Sequence, residues 1–273
     1  MEADAGTMHV GPELRPGRVL ARSLAIWARH FVAFFVATFV IYLPASVGLT
    51  LVSRGAFDFS PAASMLIAGL LGLLFGMLAA GAVAGAVFAQ LEGEDLGIAR
   101  VLGRGLLRVP SQLGVVILLT LLVGGVATAL FFVVGVLAAM LSLASRLLGI
   151  LAFVPLVAAP LVALISVYWV AVPAAVAERL TPLAALRRSA RLTRGERAPI
   201  AGLVLLVCGV GFGLDWVCLG AGAEIISPAV LALRVFVTLA VSALASTVSA
   251  VTYNDLRALR DNVSSAQLAR AVE

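Results

Sequence analysis

The chain has 273 residues, of which 62% are hydrophobic and only 12% charged, and its mean hydropathy is +1.13. Soluble domains run at about 45–50% apolar and about 25% charged, so this composition excludes a soluble fold. The net charge is +5, but all 19 basic residues are arginine and they cluster between long apolar runs, which points to membrane interfaces and away from nucleic acid. Arginine in place of lysine, with abundant Ala, Gly, Val and Leu, matches a GC-rich bacterial genome.

In chain order, the first 17 residues are polar and slightly acidic, with Glu2, Asp4 and Glu13, and no basic segment leads straight into a short apolar stretch as in a signal peptide. Residues 1–17 are therefore expected to be a retained, disordered cytoplasmic tail. Residues 18–30 place Arg18, Arg22 and Arg29 on one helical face and Leu20, Leu24, Trp27 and Phe31 on the other, the pattern of a helix lying in the membrane interface. Two apolar spans follow, 31–52 and 62–91, each longer than the roughly 18 residues that mark a crossing.

The design then repeats. Residues 95–109 carry Arg100, Arg104 and Arg108 opposite Ile98, Leu102, Leu106 and Val109, with Glu92, Glu94 and Asp95 at the start, where the helix dipole favours acids. Spans 113–141 and 148–176 come next. A third interfacial helix opens at Thr181, placed as an N-cap, with Pro182 at the first helical position, and bears Arg187, Arg188, Arg191 and Arg194. Spans 199–222 and 228–252 and a cytoplasmic tail, 253–273, complete the chain.

The three interfacial segments align in register as Val-Leu-Ala-Arg at 19–22, Val-Leu-Gly-Arg at 101–104 and Ala-Leu-Arg-Arg at 185–188, so that Arg22, Arg104 and Arg188 correspond. The expected fold is an all-α polytopic membrane bundle of six transmembrane helices, a single domain over 18–252. It is built as three units, about 18–91, 95–176 and 181–252, each an in-plane amphipathic helix plus a membrane hairpin. An even number of crossings per unit makes the repeats parallel.

Six crossings put 16 arginines on one side and 3 on the other. That asymmetry predicts both termini in the cytoplasm and an inner-membrane location. A seven-span alternative, with three crossings in 111–177, moves the six-arginine loop outside, against the same rule.

Pro44, Pro155, Pro160 and Pro173 fall within or near spans, where neighbouring groups can satisfy the carbonyls they free. The pairs Gly72/Gly76, Gly81/Gly85 and Gly209/Gly213 have the spacing that lets membrane helices approach closely. Cys208 and Cys218 share one span, about 80° apart around it, and read as small unbridged residues. Asp215 and Arg234, at similar depths in spans five and six, are expected to form an intramembrane ion pair, since each alone is costly in lipid.

Two stretches, AERLTPLAALRRSARLTRGE at 177–196 and TYNDLRALRD at 252–261, resemble a bacterial six-span family found alone or as the membrane domain attached to glycerophosphoryl diester phosphodiesterases. The matched positions include Glu178, Arg187, Ser189, Tyr253, Asp255 and Arg257. The phosphodiesterase domain is absent, so the resemblance implies topology and a role in membrane or envelope biology, without the hydrolase activity.

Chemistry is scarce. Two histidines, His9 and His30, are too few for a zinc site. There is no nucleophile with a base, and no phosphate-cradling GxxxxGK[ST] loop. No metal or cofactor is expected, nor an enzyme. The expected function is that of a lipid-interacting or scaffold protein, with a small-molecule or lipid transporter or channel component as the alternative. Arg22, Arg104 and Arg188 are the expected ligands for anionic phospholipid head groups, because guanidinium binds phosphate with paired donors. Protein partners are not legible.

Overall fold

The computed structural model describes residues 14–53, 60–91, 109–142, 145–219 and 228–272. Among them are nine helices and no strand: α1 Pro16–Arg29, α2 Phe31–Ser53, α3 Pro61–Leu91, α4 Val109–Ser142, α5 Arg146–Tyr168, α6 Ala171–Glu178, α7 Pro182–Leu192, α8 Arg197–Leu219 and α9 Pro228–Val272. Six stretches are long and apolar enough to cross a membrane. The all-α, six-span bundle is therefore the observed architecture. Residues 1–13 of the tail expected over 1–17 lie outside the described residues, while Pro16 and Gly17 already belong to α1. Most of the interfacial helix at 95–109 also lies outside them, so of the middle unit of the proposed repeat only the hairpin is described.

Helix α1 starts with Pro16, whose fixed φ suits the first helical position. It ends at His30, and the Phe34 N–H bonds back to the His30 carbonyl at 3.0 Å as the chain turns into α2. Toward the protein it buries Val19, Ser23 and Ile26, with Leu20 and Trp27 flanking them, while Leu24 is exposed. Ser23 enters the protein because its hydroxyl is satisfied locally, by the Val19 carbonyl at 2.7 Å. Helix α7 follows the same scheme, with Ala185, Ser189 and Leu192 buried. Thr181 occupies its N-cap position in extended backbone, but its hydroxyl makes no capping bond.

The spans pack as the hairpins α2–α3, α4–α5 and α8–α9, with α3 contacting α9, α6 and α4. Glycine lets α3 do this. A Cβ on Gly81 would overlap the Gln112 carboxamide of α4, one on Gly85 would touch Val176 of α6 at 3.7 Å, and one on Gly76 would meet the Tyr42 hydroxyl of α2 at 2.7 Å. The pair Gly209/Gly213 on α8 faces open space instead. Cys208 is free, as its position within a span implies.

Two features depart from a plain six-helix reading. The fourth span is not continuous: α5 stops at Tyr168, and α6 resumes at Ala171. The last span does not stop at the membrane edge, because α9 runs on to Val272 as one helix.

Burial is also one-sided. Among the described side chains, the buried residues of the spans concentrate in the half next to the arginine-bearing loops. Examples are Phe34 and Ala37 in α2, Val83 and Val87 in α3, Val115 and Leu119 in α4, Ile200 and Val204 in α8, and Val248 and Val251 in α9. The far halves carry exposed Leu43 and Val47, Leu70, Phe131 and Phe132, Phe212 and Trp216, and Leu233 and Phe236. Ala45, Val134 and Leu239 are the main buried residues outside this pattern.

Candidate functional site

The polar residues of the described chain converge where α6, α7 and α9 meet. Pro173 sets the geometry. It has no N–H for the carbonyl four residues earlier, and its ring clashes there, so the helix breaks at Trp169–Val170 and restarts with Pro173 in the first turn of α6. Two carbonyls at the break are paired with side chains. The Ser249 hydroxyl of α9 donates to Trp169 O at 2.7 Å, while Ser189 and Thr193 of α7 and its C-cap donate to Val167 O at 2.8 and 3.2 Å. All residues from Ala171 to Val176 are buried, so α6 is a short internal helix held by hydroxyls from two neighbours.

Helix α6 ends when Arg179 adopts the left-handed conformation, φ 52°, a role that usually falls to glycine. This turn leaves Glu178 at the end of α6 facing both α7 and α9. Its Oε1 accepts from Arg188 Nε at 2.9 Å and from the Tyr253 hydroxyl at 2.6 Å. Arg188 Nη2 reaches on to Asp261 Oδ1 at 3.3 Å, and Arg257 Nε bonds Asp261 Oδ2 at 3.3 Å. Tyr253, Arg257 and Asp261 follow one another at i, i+4 on α9, so one helix face supplies three members of the chain. The Tyr253 ring is buried, edge-on to Phe88 of α3 with centroids 5.5 Å apart.

Electrostatics lock this arrangement. Burial works to lower the pKa of the Arg188 guanidinium, and the Glu178 and Asp261 carboxylates more than offset it, so its pKa is raised. Asp255 points instead toward α1 and pairs with Arg22 at 3.2 Å.

The sequence-predicted residues fall into distinct environments. Glu178, Ser189, Tyr253 and Arg257 belong to the network or to the hydroxyl clamp beside it, and Asp255 ties α9 to α1. Arg187 is exposed, with no ion pair to a described residue. Arg188 spends its donors inside the protein, whereas Arg22 is 44% exposed beside its carboxylate. Arg22 also lines, with Arg29, Gln90, Leu91, Ala25 and Ile26, an open cleft of about 370 Å³ between α1 and the end of α3. The side-chain carboxamide oxygen of Gln90 is buried without a hydrogen-bond partner. Arg104 lies outside the described residues. Asp215 sits on α8 and Arg234 on the facing α9, with the Asp215 side chain outside the description.

Asp261, Ser249 and Thr193 were not singled out by the sequence as contact-making residues. For Asp261 a signal existed, the i, i+4 spacing from Arg257. For Ser249, whose partner is a carbonyl 80 residues away, there was none.

Among the described residues no three His, Cys, Asp or Glu side chains gather as metal ligands would. The network ties three helices at one membrane face, and its carboxylates and guanidiniums are mutually satisfied. No protein-family model, curated protein or solved structure matches the chain. Its own geometry makes it a multi-pass, all-α membrane protein.

Proposed function

We propose that the chain is a non-catalytic integral protein of the bacterial inner membrane, with both termini cytoplasmic, that binds anionic phospholipid head groups at its arginine-bearing face. The supporting observation is the open cleft that Arg22 and Arg29 line together, at the end of α3. It offers paired guanidinium donors for a phosphate and apolar Ile26 and Leu91 beside them. A basic residue near an anionic leaflet gains roughly 1 kcal/mol. In this reading α1 and α7 are equivalent interfacial helices of a threefold repeat, with Arg104 supplying the middle position and Arg188 acting mainly to hold α6, α7 and α9 together. The resemblance to membrane domains attached to glycerophosphoryl diester phosphodiesterases belongs to the same proposal.

Co-purified lipid tests it. Mass spectrometry of the wild type should show bound anionic phospholipid that is depleted in R22Q/R29Q; an unchanged lipid complement in a correctly inserted variant overturns the reading.

Transport is the second reading, and the broken fourth span favours it, since discontinuous helices form the ion and substrate sites of many transporters. Against it stands the pairing of the Val167 and Trp169 carbonyls at the break with protein hydroxyls. Solute uptake into proteoliposomes separates the two.

A further inference from the structure

The turn joining α7 to α8 holds a second arginine cluster, separate from the cleft at Arg22. Arg191 lies in the last turn of α7, Arg194 in the turn, and Arg197 at the start of α8. Together with Ala190, Gly195 and Ala198 they line an open bowl of about 580 Å³. The bowl is roomy because its other lining residues are alanine and glycine. Its shape is fixed by the backbone: the Arg194 N–H bonds the Arg191 carbonyl at 3.3 Å, the Glu196 N–H bonds Thr193 O at 3.1 Å, and Gly195 has φ +94°, which other residues rarely adopt. Arg260 of α9 pins the turn from behind by donating to the Arg194 carbonyl.

All three lining guanidiniums are exposed, and none forms an ion pair with a described carboxylate. Glu196, between them in sequence, does not line the bowl and pairs with none of them. This contrasts with Arg22, Arg188 and Arg257, which all have acidic partners. The first N–H groups of α8, on Arg197 and Ala198, precede its first backbone bond, from Ile200 N–H to Glu196 O, and add to the positive potential.

Three like charges around one concave surface repel one another unless an anion sits among them. A phosphate group is the anion that matches, because it accepts from several guanidinium forks at once and carries up to two negative charges. We infer that Arg191, Arg194 and Arg197 form a binding site for a phosphate group. Two sources share this chemistry: the head group of a phosphatidic-acid-like lipid and a soluble phosphate compound.

The test uses the full chain in phosphatidylcholine nanodiscs, titrated with inorganic phosphate by calorimetry, and the detergent-purified protein titrated with short-chain phosphatidic acid by native mass spectrometry. Saturable wild-type binding in either arm is expected, and the responding arm identifies the source. R191Q/R194Q/R197Q should weaken that binding by about tenfold or more. R191K/R194K/R197K keeps the charge that orients the chain and removes only the fork geometry, so it guards against a misinserted variant; it should bind more weakly than wild type while eluting as a single species. Wild type that binds neither probe, or a triple glutamine variant that binds both as wild type does, overturns the inference. Failure of the cleft is read separately, from the lipid complement of R22Q/R29Q.

Discussion

The hydroxyl of Tyr253 and the guanidinium of Arg188 meet on the same oxygen of Glu178, at 2.6 and 2.9 Å. One carboxylate thereby joins three helices. Tyr253 is buried, and a hydrogen bond to a charged group contributes about 1.5–3 kcal/mol. Tyr253→Phe should therefore lower the thermal unfolding temperature in mild detergent, and Glu178→Ala should lower it further because it strands both donors. Equal unfolding temperatures for wild type and Tyr253→Phe would mean the bond adds nothing.

The break in the fourth span should respond to paired substitutions. Ser249→Ala leaves the Trp169 carbonyl without its hydroxyl, at a cost of about 1–3 kcal/mol. Pro173→Ala restores an N–H four residues after that carbonyl. In the Pro173→Ala background, Ser249→Ala should cost measurably less, and a double-mutant cycle in unfolding free energy checks this. Strict additivity would show that Pro173 is not the cause of the break.

Gly81 and Gln112 make a third test. An alanine Cβ at position 81 overlaps the Gln112 carboxamide, neither of whose polar atoms has a hydrogen-bond partner. Overpacking of this kind costs about 1–3 kcal/mol, and Gln112→Ala should rescue most of it, since no hydrogen bond is lost. Gly209→Ala, which meets nothing within 4 Å, should fall within about 0.5 kcal/mol of wild type.

Orientation can be read by labelling. In a C208S/C218S background, a cysteine introduced at Ala190 should react with an impermeant maleimide only after the cytoplasmic side is opened. Reaction from outside would reverse the topology and, with it, the lipid assignment.

For Asp215 and Arg234, each neutralisation alone should destabilise the protein, and the charge swap should partly rescue it. If Asp215→Asn matched wild type in thermal stability, no ion pair would join α8 to α9.

Much of this architecture was legible because its signals are local. Runs of apolar residues and the placement of 19 arginines suffice for six spans, but the break at Pro173 was not legible, since Pro44, Pro155 and Pro160 share its signal and sit inside continuous helices. Which face of α1 enters the protein was not legible, because hydropathy ranks Leu24 above Ser23 while the close approach of helices favours the smaller residue once its hydroxyl is satisfied. The hydroxyl clamp was invisible for another reason. Ser189, Thr193 and Ser249 bond backbone carbonyls, which have no side-chain identity to pair with, across separations of 22 to 80 residues. Glu178 and Tyr253 were both marked by resemblance, but only the fold shows that they touch.

Because the described helices bury one another mainly near the arginine loops, acyl chains must supply the neighbours of Phe132, Phe212 and Trp216 in the opposite leaflet. Lipid there takes the place that side chains hold elsewhere, so the two halves of the molecule differ in what dissolves them. Stripping lipid with a short-chain detergent should loosen the distal halves first, seen as faster amide exchange in α4 and the end of α8, while the Glu178 network keeps the other end protected.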